Sequence, residues 1–207
     1  MALSKIDVAN MLTGATPVAN GGTGIASGTS GQFLKFTGST TVASSAVSAG
    51  ISQVSTWRLS SDFTGNSMPI TSNWEEPDTY GIANGNAIGS DMVISSGVWT
   101  FPVTGIWKIE FYGDFYYQGD SRYVQPIIET TTNNSSFNEA AKSSSHITES
   151  QSDSTLAGAV SVCIFDVTNV STHKCRLGVS VSDTSVATRG HTSTNKTQVN
   201  FIRLGDT

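Results

Sequence analysis

Gly97-Val98-Trp99-Thr100-Phe101-Pro102-Val103-Thr104-Gly105-Ile106-Trp107-Lys108-Ile109-Glu110-Phe111-Tyr112-Gly113 alternates apolar and polar residues with period two on both sides of Gly105. In an extended chain this sends Trp99, Phe101, Val103, Trp107, Ile109 and Phe111 to one side, a core face. Thr100, Thr104, Lys108 and Glu110 line the other side, the mix expected of an antiparallel strand with one wet face. Pro102 has no amide proton to give a ladder, and Gly105 admits a positive φ. The stretch therefore predicts a hairpin, two strands joined at a tight Val103-Thr104-Gly105 corner.

On pattern alone this corner fits any β-sandwich hairpin with a Pro-x-x-Gly turn. The same residues also resemble the central motif of the C1q-like (C1q and tumour necrosis factor) jelly-roll domain. In that family a strand ending in F-x-V-P is followed by a small residue, a glycine and an aromatic strand. Phe101, Pro102, Val103, Thr104, Gly105, Ile106 and Trp107 carry the match, with Phe101, Pro102, Gly105 and Trp107 as its structural signature. Two departures stand out: Phe101 and Pro102 are adjacent instead of spaced, and Trp107 replaces the family's common tyrosine. The ending Phe201-Ile202-Arg203-Leu204-Gly205 resembles the family's last strand, which lies centrally near a trimer axis. The resemblance runs from Trp57 to Thr207 and implies an all-β, antiparallel β-sandwich of jelly-roll type assembled as a homotrimer.

Strand patterns recur on either side of the opening stretch. Thr56 to Leu59 and Met92 to Ile94 read as short strands, with an irregular connection from Phe63 to Asn73. Phe115 to Tyr117 continues the aromatic strand, and Gln118 to Ser121 reads as a turn. Tyr123 to Thr130 puts Val124 and Ile128 on one face. Leu156, Val160, Val162 and Ile164 face one way and Cys163, Phe165 and Val167 the other, so this strand is apolar on both faces. Leu177, Val179 and Val181 point inward. At the end of the chain Val199 and Phe201 share one face, Ile202 and Leu204 the other. Apolar faces beyond the needs of one core predict a parallel trimer interface containing Leu156, Val160, Val162, Phe201, Ile202 and Leu204.

Toward the N-terminus the composition changes near Gly50. Residues 1–24 read as a docking arm, with Ile6, Val8, Met11 and Leu12 as its contact residues. Residues 25–55 read as a glycine/serine-rich stem with a small β-hairpin unit, and 56–207 as the head. The string Pro17-Val18-Ala19-Asn20-Gly21-Gly22-Thr23-Gly24 resembles a motif recurrent in tailed-bacteriophage tail fibre and structural proteins. The segment from Gly28 to Val47 resembles the small fibre unit that accompanies this motif: Gln32 to Phe36 as one strand, Gly38 as the turn, Thr40 to Ala46 as the second strand. Without the motif, the segment also reads as a Gly/Ser/Thr linker. An isolated two-stranded piece is marginal in water, so such a unit becomes plausible when several chains wrap together.

Composition excludes several classes. The 207 residues carry 11 Lys and Arg against 16 Asp and Glu, for a net charge of -5, with no basic cluster to neutralise phosphates, so no nucleic-acid partner is expected. No apolar run reaches the roughly 20 residues of a membrane span, so no membrane insertion is expected. The N-terminus lacks a basic segment followed by an apolar core, which fits synthesis in a bacterial host cytoplasm without a signal peptide. Cys163 and Cys175 flank a hairpin turn near Asn169 to Thr172; a cross-strand disulfide and two buried thiols both fit.

No catalytic constellation emerges. His146, His173 and His191 lack metal-ligand spacing, and neither a nucleophile elbow nor a phosphate loop is present. Glu75, Glu76 and Asp78 fall in one Trp74 to Asp78 loop, but adjacent residues on an extended chain point oppositely, so the acids read as solvated and not as a glycosidase pair. Tyr112, Tyr116, Tyr117 and Tyr123 fit a core, an interface or a sugar-stacking role. No enzyme activity, metal or cofactor is expected.

The polar stretch Thr131 to Ser154 reads as a surface excursion or partly paired edge strands. It supplies the candidate ligand residues Asn133, Asn134, Ser135, His146, Thr148 and Ser150, whose side chains hydrogen-bond hydroxyl-rich partners. The reading is a bacteriophage virion protein: a trimeric tail fibre or appendage whose head contacts a host glycan or outer-membrane protein, and whose arm contacts other virion proteins. Two alternatives share the sequence: a capsid fibre or tail plug without receptor binding, and a polysaccharide-degrading tailspike.

Overall fold

The computed structural model describes residues 25, 28–39, 41–45, 50–79 and 88–207. The candidate docking residues Ile6, Val8, Met11 and Leu12 and the string Pro17–Gly24 lie outside them. The chain divides into two units, Met1–Gly50 and Ile51–Thr207. Every regular element among the described residues is a strand.

In the first unit, β1 (Phe33–Gly38) and β2 (Thr41–Ser45) form the expected antiparallel hairpin, with Phe36 opposite Val42 and Leu34 opposite Ser44. The Ser44 hydroxyl donates to Gln32 Oε1 at 2.6 Å and ties its ends together. Phe33, Leu34 and Phe36 remain exposed, since two strands cannot bury both their faces.

The second unit begins five residues before the expected 56, because Val54 already pairs with Ile202 and Gln53 accepts a backbone bond from Arg203. Its strands are β3 (Val54–Leu59), β4 (Phe63–Thr64), β5 (Trp74–Glu75), β6 (Val93–Ser95), β7 (Val98–Thr100), β8 (Gly105–Tyr117), β9 (Ser121–Thr131), β10 (Asn138–Lys142), β11 (Ser145–Ile147), β12 (Thr155–Val167), β13 (Lys174–Val181), β14 (Ala187–Thr188) and β15 (Gln198–Gly205). They make two antiparallel sheets. One runs β10-β9-β13-β7-β6, with β11 beside β10 on β9. The other runs β4-β14-β8-β15-β3-β5, with β12 paired along the free side of β8 from Gly105 to Tyr117. The C-terminal strand is central, between β8 and β3.

The opening stretch is not a hairpin. β7 pairs with β6 and β13 in one sheet, and β8 pairs with β12 and β15 in the other, so Phe101 to Thr104 arches across the sandwich. Pro102 cannot donate to a ladder, which favours leaving the sheet at that point. The Trp107 indole closes the arch by donating to the Val103 carbonyl at 3.2 Å. Gly105 sits at φ 144°, and a Cβ there would lie 2.5 Å from the Gly205 carbonyl oxygen. Trp99, Phe101, Trp107, Ile109 and Phe111 are buried as expected; Val103 is not, being 36% exposed at the bend. The link from β12 to β13 likewise crosses between sheets, so Cys163 and Cys175 enter from opposite layers instead of flanking a hairpin.

The core between the layers is aromatic. Trp99 meets Trp57, Trp74 and Phe201 at ring-centroid distances of 5.1, 5.4 and 5.1 Å, and Phe101 meets Trp107 at 5.2 Å. Such pairs each contribute about 0.5–1.5 kcal/mol beyond their burial. Both cysteines are free thiols here, Cys175 buried and Cys163 partly so. Burial pushes Cys163 up to about 11, and burial, then the neighbouring Cys163, pushes Cys175 well above its ordinary value. Both therefore stay as thiols at neutral pH.

Two buried side-chain polar atoms lack a hydrogen-bond partner among the described residues, the Trp99 indole nitrogen and the Thr188 hydroxyl on β14. Thr188→Val keeps the shape and removes the unsatisfied group, so it is expected to raise stability by about 1 kcal/mol, read as a higher urea midpoint at unchanged slope.

Candidate functional site

Strand direction fixes which loops share an end of the sandwich. β8 starts at Gly105 beside Val167 and Gly205, and Thr131 of β9 pairs with Lys174. Asn133 to Ser136 therefore lies at the end where the unit begins near Ile51. β11 pairs with the other end of β9, Ile147 opposite Ser121, so His146, Thr148 and Ser150 lie at the far end. The expected ligand residues form two groups separated by roughly 33 Å of strand.

The near group is occupied by its own turn. Asn133 Oδ1 accepts from the Ser135 and Ser136 amides at 3.0 and 2.9 Å and from the Thr131 and Ser135 hydroxyls, each at 2.9 Å. Asn134 holds the turn with φ 56°. Asparagine suits both roles, since its short amide bonds the backbone two residues on and it tolerates positive φ.

The far group borders a cleft of about 590 Å³ lined by Asp120, Ser121, Arg122, His146, Ile147, Thr148, Ser182 and Asp183. Its floor is pre-organised. Ser121 and Ser182 hydroxyls are 3.0 Å apart, and the Ser121 hydroxyl donates to the Tyr123 carbonyl. Asp120 Oδ1 accepts the Glu149 amide at 2.8 Å. Asp183 accepts the Ser185 amide at 2.8 Å and the Tyr117 hydroxyl at 3.1 Å, and these bonds, the amide first, hold it below the ordinary carboxylate range. Sequence reasoning finds His146 and Thr148 but misses Arg122, Asp120 and Asp183, which reach the cleft from other segments.

The expected interface residues separate by strand face. Phe201 is buried against Trp99 and Phe101, so it belongs to the core and not to any contact with another chain. Its odd-numbered position beside Val199 faces inward. Leu156, Val160, Val162 and Ile164 form a row on the outer face of β12, each 42–59% exposed. The row continues over β8 through Tyr112 and Tyr116, which stand opposite Val160 and Leu156. It reaches Ile202 opposite Lys108, and Leu204 is exposed beyond it. Lys108 and Glu110 within this face pair with each other at 2.5 Å. The tyrosines do not form one cluster: Tyr123 stands on the other sheet, and Tyr117 reaches Asp183.

The Trp74 to Asp78 segment is a solvated loop only in part: Glu76 and Asp78 are exposed as expected, Trp74 and Glu75 are not. Trp74 and Glu75 add a short strand to β3, and Arg58, completely buried, donates to Glu75 at 2.8 Å and Asp78 at 2.9 Å. The guanidinium also reaches the Thr79 hydroxyl at 3.2 Å and the Thr192 carbonyl. Glu76 lies beside Asp91, and burial, then that carboxylate, raises it. Among the described residues no group of three or more His, Cys, Asp or Glu could hold a metal ion, and no helix is long and apolar enough to cross a membrane.

No family model and no curated protein matches this chain. Solved structures do. The structure of Eiger TNF from S. frugiperda aligns with TM-score 0.51 and 12% identity over 74% of this chain and 93% of that one. The likeness is one of fold. Murine APRIL, solved at pH 5.0, aligns with TM-score 0.49 and 8% identity over 73% of this chain and 98% of its own. The described residues are thus all-β, and the second unit has a jelly-roll β-sandwich fold like that of the Eiger TNF structure.

Proposed function

We propose that this protein is a non-enzymatic virion component of a bacteriophage, a homotrimeric tail fibre or appendage whose jelly-roll head contacts the host surface. The observation that carries the assembly is the apolar outer row of Leu156, Val160, Val162 and Ile164 on β12, joined through Tyr112 and Tyr116 to Ile202. A contiguous apolar patch on an edge strand is avoided in a monomer, since it invites association. A second copy covers it in this reading, and three copies multiply weak ligand sites into avidity. The virion assignment is supported by the string Pro17–Gly24, and docking on other virion proteins is assigned to Ile6, Val8, Met11 and Leu12.

Antibody raised against residues 51–207 should decorate an appendage of phage particles in electron micrographs and block their adsorption to host cells. Decoration without a block would select a purely structural fibre or plug, and particles left undecorated would overturn the reading.

A further inference from the structure

The cleft at the far end of the sandwich contains two nitrogen-bearing side chains without a partner among the described residues. Arg122 on β9 and His146 on β11 are both exposed, and neither makes a hydrogen bond or ion pair there. Their strands are neighbours, with Ser145 opposite Val124 and Ile147 opposite Ser121, so the two residues come from strands roughly 4.8 Å apart. The other polar groups of the floor, the Thr148 hydroxyl aside, are already oriented: Ser121 and Ser182 by each other, Asp120 by the Glu149 amide, Asp183 by Tyr117 and Ser185. A guanidinium presents five donors in a fork that matches a carboxylate, and an imidazole adds another donor.

The surroundings restrict what that carboxylate is attached to. Asp120 and Asp183 flank the pair and keep acceptor capacity, while the Thr148 and Ser182 hydroxyls offer both donor and acceptor. A ligand with one carboxylate amid hydroxyl groups satisfies the set, its hydroxyls donating to the two aspartates. An acidic peptide or a densely sulfated chain has few or no free hydroxyls to donate to the two aspartates, so its charge meets theirs unrelieved.

We propose that this cleft is a binding site for acidic saccharides of the uronic-acid type, with Arg122 and His146 taking the sugar carboxylate and Asp120, Thr148, Ser182 and Asp183 taking its hydroxyls. This names the partner class for the host contact above and rests on that reading only in passing from saccharide binding to cell contact.

The test is titration of the full-length chain with oligogalacturonate in a calorimeter, with neutral dextran oligomers, dextran sulfate and poly-aspartate as comparisons. Oligogalacturonate should bind and dextran should not. Arg122→Gln should weaken binding about ten- to a hundredfold, and His146→Gln by a smaller factor, both with unchanged melting. A Lys35→Gln chain, which loses an exposed cation on β1 of the first unit, should bind as the parent does. Equal binding by Arg122→Gln, or binding of dextran, dextran sulfate or poly-aspartate as tight as that of oligogalacturonate, would overturn the site. Binding of oligogalacturonate by a protein that antibodies never find on particles would leave the site standing and remove the virion reading. Adsorption-blocking antibody with no oligogalacturonate binding would do the reverse.

Discussion

Replacing Arg58 with alanine should lower the stability of the second unit by about 3–5 kcal/mol, the usual cost of leaving a buried ionic partner uncompensated. Arg58 is fully buried on the outer side of β3, where the 75–79 segment and Thr192 to Asn195 close over it. One guanidinium holds both coverings, because its planar fork donates in several directions at once. Alanine removes all of those bonds and leaves Glu75, two-thirds buried, facing a void. Lysine restores the charge but not the fork, so Arg58→Lys should recover only a minor part of the loss. Asp78 is 75% exposed, so its pair is screened and Asp78→Ala should cost no more than about 1 kcal/mol. Urea unfolding of the four chains measures the order. An Arg58→Ala chain as stable as the parent would mean that the coverings are held by other contacts.

A single charge on the outer row of β12 should disassemble the protein. Val162 stands opposite Glu110 between Val160 and Ile164, and Val162→Asp would press a carboxylate into a covered apolar contact beside an existing one. An unpaired charge buried in such a contact costs several kcal/mol, about a thousandfold or more in the association constant. Light scattering of the full chain at micromolar concentration should give three times the monomer mass for the parent and the monomer mass for Val162→Asp. Val93, more exposed than Val162 and on the edge strand of the other sheet, supplies the control: Val93→Asp should leave the mass unchanged. A monomeric parent, or a Val162→Asp chain that keeps its mass, would remove the outer row as the interface.

The alternation of Trp99 to Phe111 is enough to assign strands and their inward faces, because a period of two survives whichever sheet a strand joins; Leu156 to Val167, apolar on both sides, reads as a strand without an inward face. The alternation cannot say which sheet. A hairpin and an arch place the same residues inward, and only the pairing of β7 with β13 and of β8 with β15 separates them. Phe201 shows the same limit: an apolar strand end offers itself equally to a core and to a neighbour, and the choice is made by Trp99 and Phe101 from the other layer. His146 and Thr148 are visible as polar residues in a polar stretch. Arg122, Asp120 and Asp183 are not, since the turn before β9, the start of β9 and the turn after β13 bring them together and nothing local marks them. Arg58 carries no signal at all: a lone arginine in Val54 to Leu59 reads as a wet-face residue until the segments that cover it are in place.

The clamp on Arg58 acquires another meaning if the head is pulled while it holds a surface. A tether drawing on Ile51 away from the far-end cleft acts along β3, whose pairs with β15 run from Val54 opposite Ile202 to Arg58 opposite Gln198. Backbone bonds perpendicular to the strands are then loaded together in shear instead of being opened one at a time. The strand cannot slide without dragging its buried guanidinium past Glu75, Asp78 and the Thr192 carbonyl. Arg58 lies near the inner end of that strand, farthest from the pull, and there it works as a pin: the force meets the sheared ladder first and the ionic lock last.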